Sequence, residues 1–446
     1  MSTENHQETI AGSFTDSEKK GGLQAYTQEE TIPIAPPSFP EGGFCAWATA
    51  FGAFLVQFCG FGYTTSFGVF QDYYVRVHLP NENASTISWI GSVNAFLVIA
   101  GGLLAGRIYD KGYFYALLWG GSLLISFSLF MLSLTKPHHY YQVLLSQGFG
   151  VGIGIGMIYV PSVAVLSHYF QRRRNVVMTL IASGSSLGAV VHPIMLNNTL
   201  EKIGFAKATR ANAGLVSGLL LVACLTMRTR LPPPPTTPSL KKALIKFSKD
   251  KAYVCCAFGF LFFIIGMYYP LFYIQLNAVK HGLNTNFAFY SLVILNGSSF
   301  FGRIASSFLA DVVGVGNLVV GCTFCCTVVI FAMIGISSVA SVVIIAVLFG
   351  FFSGMYIALM APMVANLADH FSEIGLRMGI GFMLAGIGGL IGTPIEGAIL
   401  TSRYEWWRAE VFTGIMALTG CVCYSGMLFF LRKKHRMKEE VEKATQ

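Results

Sequence analysis

Charge is what this sequence has least of. Asp, Glu, Lys and Arg make up 11% of its 446 residues, against 54% hydrophobic. An ordinary soluble domain carries roughly 25% charge, so a water-facing surface of that kind cannot be covered here. Other absences narrow the choice. No G-x-x-x-x-G-K-[ST] phosphate cradle occurs, which argues against ATP as the driving force. Runs such as "SVVIIAVLFGFFSGMYIALMAPMV" show none of the polar–apolar alternation over about ten residues that a membrane β-barrel needs. The sequence groups no His, Asp or Cys in a pattern suited to a metal centre or an embedded enzyme, so neither a cofactor nor catalysis is expected. The ten cysteines, Cys255, Cys256, Cys322, Cys325 and Cys326 among them, fall almost wholly in apolar runs and read as small packing residues. No basic-then-apolar leader precedes the first apolar run, which is expected to act as an uncleaved insertion signal.

What is present is a series of long apolar runs. Crossing a hydrocarbon layer about 30 Å thick takes about 20 helical residues at about 1.5 Å each. Stretches of about that length lie at 44–70, 86–107, 114–134, 141–167, 175–196, 209–227, 252–276, 286–310, 317–338, 341–367, 377–400 and 409–431. They predict an all-α integral membrane protein with twelve transmembrane helices. Only "SSVAS" parts the ninth from the tenth, and one kinked helix with a re-entrant segment would read alike. Residues 1–43, polar and ending in "TIPIAPPSFP", read as a disordered cytoplasmic tail. Residues 228–251 hold four consecutive prolines and five lysines, a cytoplasmic linker between six-helix bundles at 44–227 and 252–431. A basic cytoplasmic tail, 432–446, follows.

The net charge of +9 does not point to nucleic acid, because the basic residues sit at helix ends. With both termini inside, about three quarters of the Lys and Arg residues face the cytoplasm, as the positive-inside rule requires. The sequons at Asn83 and Asn197 then fall in outer loops. The segment "LLAGRIYDKGY" closes the second run and "SSFLADVVGVGN" the eighth, with Asp110 and Asp311 in matching places 201 positions apart. The recurrence implies a duplicated six-helix unit, pseudo-symmetric about the membrane normal, with its binding site between the halves. Gly106, Asp110, Lys111, Arg303 and Asp311 become gating candidates at the cytoplasmic face.

Several stretches together resemble the major facilitator superfamily, in its monocarboxylate-transporter-like branch as it occurs in fungi. They are "PEGGFCAW" and "SFGVF" in helix 1, "QGFGVGIGIGMIYVPSVAVLSHYFQRRRN" in helix 4, "SGSSLGAVVHPI" in helix 5, "YYPLFYIQLNAVKHGL" in helix 7, "FYSLVILNGSSFFGRIASSFLAD" in helix 8 and "GIGGLIGTPIEGAIL" in helix 11. The resemblance implies the major facilitator fold and transport by alternating access. The family's proton-coupled lactate and pyruvate carriers use a lysine late in helix 1 and, in helix 8, an aspartate with an arginine four residues on. Here Thr64 and Thr65 stand near the first position, and mid-helix 8 offers Asn296 without an acid–base pair.

Intramembrane charge is costly and therefore informative. His192 and Glu396, in the outer thirds of helices 5 and 11, are the proton-coupling candidates. Substrate-binding candidates are the polar and aromatic residues near midplane: Gln57, Tyr63, Asn94 and Tyr159 in the first half, Tyr268, Tyr269, Tyr273, Asn296 and Tyr356 in the second. Tyrosine offers a flat apolar face and a hydroxyl, which suits an amphipathic organic molecule. The expected function is secondary active transport of a small organic solute, a monocarboxylate or related metabolite, with or without a proton. A transporter-like nutrient sensor, or a facilitator of a neutral solute such as a vitamin or polyol, remains as an alternative. The expected partners are that solute, protons and membrane lipids, the expected unit is a monomer, and no nucleic acid is expected. The plasma membrane ranks first as its location and the vacuolar membrane second.

Overall fold

In lipid the backbone must satisfy its own hydrogen bonds, and a chain of apolar runs joined by short turns does so as antiparallel helices. The computed structural model describes residues 40–171, 174–232, 240–368, 373–400 and 405–445. Most of the expected N-terminal tail and the middle of the proline-rich linker lie outside the described residues. Among those described, twelve helices are long and apolar enough to cross a membrane. They are α1 Phe44–His78, α2 Ala84–Asp110, α3 Phe114–Leu132, α4 Tyr140–His168, α5 Arg174–Ile203, α6 Phe205–Thr226, α7 Lys251–Lys280, α8 Thr285–Val313, α9 Val315–Gly335, α10 Val339–Leu367, α11 Ile374–Leu400 and α12 Trp406–Thr445. A short helix, Leu240–Ser248, lies in the linker. The end of the bundle where α6 passes into the linker is called the linker end below, and the opposite end the far end.

The structure departs from the expected boundaries for local reasons. Helix α5 runs on to Ile203, because Asn198 Nδ2 donates to Ile194 O at 2.9 Å and Thr199 Oγ1 to Met195 O at 2.6 Å. The Asn197 sequon is therefore helical and not in a loop. Asn83 instead caps α2, its Oδ1 accepting from Thr86 N at 2.7 Å. Helices α9 and α10 are separate, since Ser338 and Ser341 form a reciprocal cap that starts α10. Helix α12 does not stop at residue 431: the charged segment beyond is rich in Lys, Arg and Glu, good helix formers, and continues it to Thr445. Helix α1 is interrupted near Gly60 and Ser66 and ends in a π-helical turn, Tyr74–His78. Helix α4 carries another, Leu144–Gly150. Such widened turns often mark functional positions.

The duplication is visible in the packing. A Cβ added to Gly152 of α4 would fall 3.2 Å from Asn94 O of α2; one added to Gly350 of α10 would collide with Leu295 O of α8. Asn94 and Leu295 differ by the same 201 positions as the two aspartates. The same close approach of backbone to backbone therefore pairs α2 with α4 and α8 with α10, which only small residues allow.

At the linker end Arg377, 1% exposed, holds the start of the second bundle. Its Nη1 donates to Asp250 Oδ2 at 2.8 Å and its Nη2 to Glu373 Oε2 at 3.4 Å. The guanidinium also lies over the rings of Phe247, 4.6 Å away, and Tyr253, 5.1 Å away. Tyr253 Oη donates to Arg377 O at 2.7 Å, and Lys246 of the linker helix pairs with Glu373. The hydrogen bond from Lys246 is the main cause that holds the Glu373 carboxyl below its ordinary value. That contribution is complete above the ordinary glutamate range and is lost as pH falls through the lowered value.

Replacing Arg377 by Met leaves Asp250 without its buried cation and should cost about 3 kcal/mol. The expected result is a lower melting temperature in detergent and faster proteolysis of the linker. Lys246→Ala, at the exposed edge of the same cluster, should cost less than about 1 kcal/mol.

Candidate functional site

Between the bundles, toward the linker end from the middle, α8 places Arg303 against α5. Its Nη1 donates to Ser185 Oγ at 2.7 Å and to Ala182 O at 3.1 Å, while its Nε finds no partner. Arg303 is 5% exposed. Tyr159 of α4 lies within electrostatic reach of it, and Tyr268 of α7 within reach of Tyr159. Tyr268 Oη is buried and unpartnered, with its ring against Gly389 of α11. Four helices from both bundles thus bring an unfilled guanidinium donor and two phenols to one region. An anionic oxygen with a flat apolar body is the ligand chemistry such a set can satisfy.

The remaining candidates in the first bundle form a network of their own. Tyr63 Oη accepts from Gln147 Nε2 at 3.0 Å, Tyr74 Oη donates to Gln147 Oε1 at 2.7 Å, and Asn94 Nδ2 donates to Gln147 O at 2.8 Å. Thr64 Oγ1 closes the set on Asn94 Oδ1 at 2.8 Å. Gln147 sits in the π-helical part of α4, which links these groups across α1, α2 and α4. Asn94 thereby has its amide satisfied inside one bundle. Gln57 is buried with Nε2 unpartnered. His192 contacts Asn212 Nδ2 through Nδ1 at 3.0 Å and packs on the Phe58 ring at 5.0 Å.

In the second bundle Asn296 Nδ2 returns to Leu292 O of its own helix at 3.0 Å. Tyr356 Oη meets Tyr424 Oη at 2.6 Å, with the Phe263 ring 4.4 Å from its own. Neither is brought to Arg303 by any of these bonds. Toward the far end two buried acids face one another's surroundings. Thr413 Oγ1 donates to Glu396 Oε1 at 3.1 Å, and Asn277 Nδ2 to Glu410 Oε1 at 3.1 Å. Tyr269 Oη lies beside Glu410 and within electrostatic reach of Glu396.

Most polar contacts between the bundles lie at the far end. Ser92 Oγ meets Thr393 Oγ1 at 2.5 Å, Ser88 Oγ meets Tyr273 Oη at 2.5 Å, and Ser85 Oγ donates to Pro394 O at 2.7 Å. Tyr273 Oη also donates to Thr393 O at 3.2 Å. Gln275 Nε2 of α7 donates to Asp72 Oδ2 at 3.1 Å, while Arg76 of α1 pairs with the same carboxylate. Phe67 and Phe272 stack across the gap, centroids 5.0 Å apart. Sequence reading passed over Asp72, Arg76 and the serines. The signals were available: Asp72 and Arg76 are four apart, and Ser85, Ser88 and Ser92 line one helix face at spacings of three and four.

At the linker end Asp110, Lys111 and Asp311 form no salt bridge among the described residues; Asp311 and Lys111 are exposed, and Asp110 and Gly106 half-buried. Arg303, grouped with them from sequence, does not turn toward Asp311 but into the interface. A buried arginine does so because its donors must be matched where no water reaches.

Tyr273→Phe removes one hydroxyl that ties α7 to both α2 and α11. A buried neutral hydrogen bond contributes about 1 kcal/mol, so the sealed population should fall roughly fivefold relative to the open one. Thiol labelling of a cysteine placed at Ser92, a buried seal position that bonds Thr393 and not Tyr273, measures it, with faster labelling in the Phe variant than in its Tyr273 parent as the expected outcome.

The profile of the Major Facilitator Superfamily matches residues 49–336 and 300–445. The chain is 37% identical to an MFS-type transporter of Ophiocordyceps sp. over 395 residues, 88% of this chain and 87% of that one. It is 37% identical to the aspyridones efflux protein of Emericella nidulans, covering 90% and 82% of the two chains. To the fujikurins efflux protein of Gibberella fujikuroi it is 33% identical, covering 97% and 93%. Its fold matches the crystal structure of a peptide transporter POT in complex with sulfate at a TM-score of 0.69, with 15% identity and coverage of 89% and 97%. With twelve antiparallel helices, a duplicated packing pattern and relatives similar over nearly its whole length, this chain belongs to the major facilitator superfamily of membrane transporters.

Proposed function

We propose that this transporter exports an organic metabolite bearing a carboxylate or similar anionic oxygen, in exchange for protons, across the plasma membrane. The observation that carries this reading is Arg303, buried between the bundles with Nε unpartnered, with Tyr159 within electrostatic reach of it and Tyr268 within reach of Tyr159. Arg303 forms no salt bridge among the described residues; a buried cation without an acid partner is costly, and an anionic ligand repays that cost. The two tyrosines extend the site with apolar surface, which favours an aromatic or extended carboxylate over acetate or lactate. Efflux is named in two of the similar fungal proteins, and that supports the outward direction. The linker end, with its lysines, is assigned to the cytoplasm by the positive-inside rule, along with both termini. The metabolite then enters from the cytoplasmic face while the far-end contacts hold the outer face shut.

Counterflow in proteoliposomes tests this with labelled benzoate, naphthoate, lactate and mannitol. Naphthoate and benzoate should exchange, lactate weakly and mannitol not at all. Arg303→Gln should reduce carboxylate exchange at least about tenfold, the loss of a charge-assisted bond worth about 1.5–3 kcal/mol. Mannitol exchange equal to that of the carboxylates, or full benzoate exchange by Arg303→Gln, would contradict the reading.

A further inference from the structure

Glu410 took no part in the sequence reading, yet it and Glu396 are among the most deeply placed acids in the protein, at 1% and 0% exposure. They stand on adjacent helices, α12 and α11, and face α7. Among the described residues neither acid forms a salt bridge: Thr413 and Asn277 supply one hydrogen bond each, and Tyr269 is the phenol within reach of both. Three buried polar atoms there are left unmatched, namely Glu396 Oε2, Tyr269 Oη and Asn277 Oδ1. Two carboxylates cannot share a dry site without a counter-charge, whereas a proton on one of them supplies both the charge balance and a missing donor.

The cluster also has an entrance. A cavity of about 290 Å³ at the far end is lined by Glu410 together with His281, Glu405, Trp406, Trp407 and apolar Met333 and Ile334. Its rim is wet: Glu405 and Arg408, paired with each other at 2.9 Å, have side chains 32% and 49% exposed. Among the described residues the titratable and charged groups facing the acids are thus Tyr269, Tyr273 and His281 from α7, each carboxyl from its partner's side, and the Glu405–Arg408 pair at the mouth. Helix α9 contributes only apolar side chains to the lining.

Its position ties the cluster to the far-end seal. Tyr269 lies one turn before Tyr273, and Glu396 one turn after Thr393, the two residues that hold Ser88 and Ser92 of the other bundle. Gly397, next to Glu396, packs so closely that an added Cβ would fall 2.9 Å from Ser85 Cα. A change of charge at Glu396 therefore acts directly on the surface that closes against α2.

We propose that Glu396, Glu410 and Tyr269 form one proton-binding site, loaded from the far-end cavity, whose protonation controls the opening of the far-end seal. The inference rests on the proton-exchange reading above and specifies where the proton is held. In the cycle, a water-borne proton enters the cavity, binds the Glu410 carboxylate and is shared with Glu396 through Tyr269. Its release at the other face completes the exchange, so one proton taken up is one released.

Two measurements separate this proposal from the reading beneath it. Infrared difference titration of the purified protein needs no substrate. A protonated-carboxyl band that disappears as pH rises is expected in the unmodified protein and should be lost or reduced in both Glu396→Gln and Glu410→Gln; a band unchanged in both variants overturns the proposal. In proteoliposomes, accumulation of benzoate driven by a pH gradient should fall at least roughly fivefold in each variant, a ratio within the ordinary range of coupling between sites. Benzoate counterflow in the variants should also stop responding to pH at the far face. Variants that keep both the gradient response and the pH response overturn the site. Absence of any benzoate or naphthoate exchange by the unmodified protein would instead overturn the transport reading, and the infrared result would still decide the proton site.

Discussion

The structure is governed by the absence of water around most of its polar groups. In hydrocarbon an unmatched donor or acceptor costs several kcal/mol, so nearly every one must be answered from within the protein. The Gln147 network obeys this rule fully: each of its four partners is matched by a bond of 3.0 Å or less. The exceptions are scattered through both bundles, and those near Arg303 and Glu396 carry the proposed reading. Arg303 Nε and Tyr268 Oη are buried and unmatched between the bundles, and Tyr269 Oη, Asn277 Oδ1 and Glu396 Oε2 inside the second bundle; others, such as Gln57 Nε2, His192 Nε2 and Thr209 Oγ1, belong to neither group. The first group suits an anion and the second suits a proton.

The interface is built so that the bundles can part. Its far-end contacts are mostly neutral hydroxyl pairs from Ser85, Ser88, Ser92, Tyr273 and Thr393, with one amide on the Asp72–Arg76 pair. Each such bond contributes about 1 kcal/mol, so the seal as a whole amounts to a few, an amount that ligand or proton binding can offset. Within each bundle the helices meet through glycine against carbonyl, at Gly152 and Gly350. That backbone contact has no side chain to rearrange, so each bundle moves as a unit while the hydroxyl contacts exchange.

Length and hydropathy made the twelve helices legible, because an apolar run of about 20 residues has few other uses. The duplication was legible too, through Asp110 and Asp311. Helix ends were less so. The sequence places a stop at residue 196 of α5, but Asn198 and Thr199 bond back to helix carbonyls and the helix does not end. The sites were legible only in part. Tyr159 and Tyr268 stood out by residue type, and Glu396 by its rarity, and the structure brings each into one of the two proposed sites. Glu410 was missed because it stands one residue inside an expected boundary, where an acid looks solvated. Arg303 was assigned to the turn at the end of α8, since position along a helix does not reveal which neighbour a long side chain meets. Asn94 and Asn296 looked available because amides in lipid need partners, but Gln147 and Leu292 already supply them.

The central claim is that two rigid bundles expose the Arg303 region to one face at a time. Paired spin labels measure this directly: one pair at the far end, on cysteines replacing Asn81 and Val339, and one at the linker end, replacing Lys111 and Val312. In lipid nanodiscs titrated with pH and benzoate, the far-end distance should lengthen as the linker-end distance shortens, with two populations at each end. A single fixed distance at both ends, or lengthening of both together, would contradict the account.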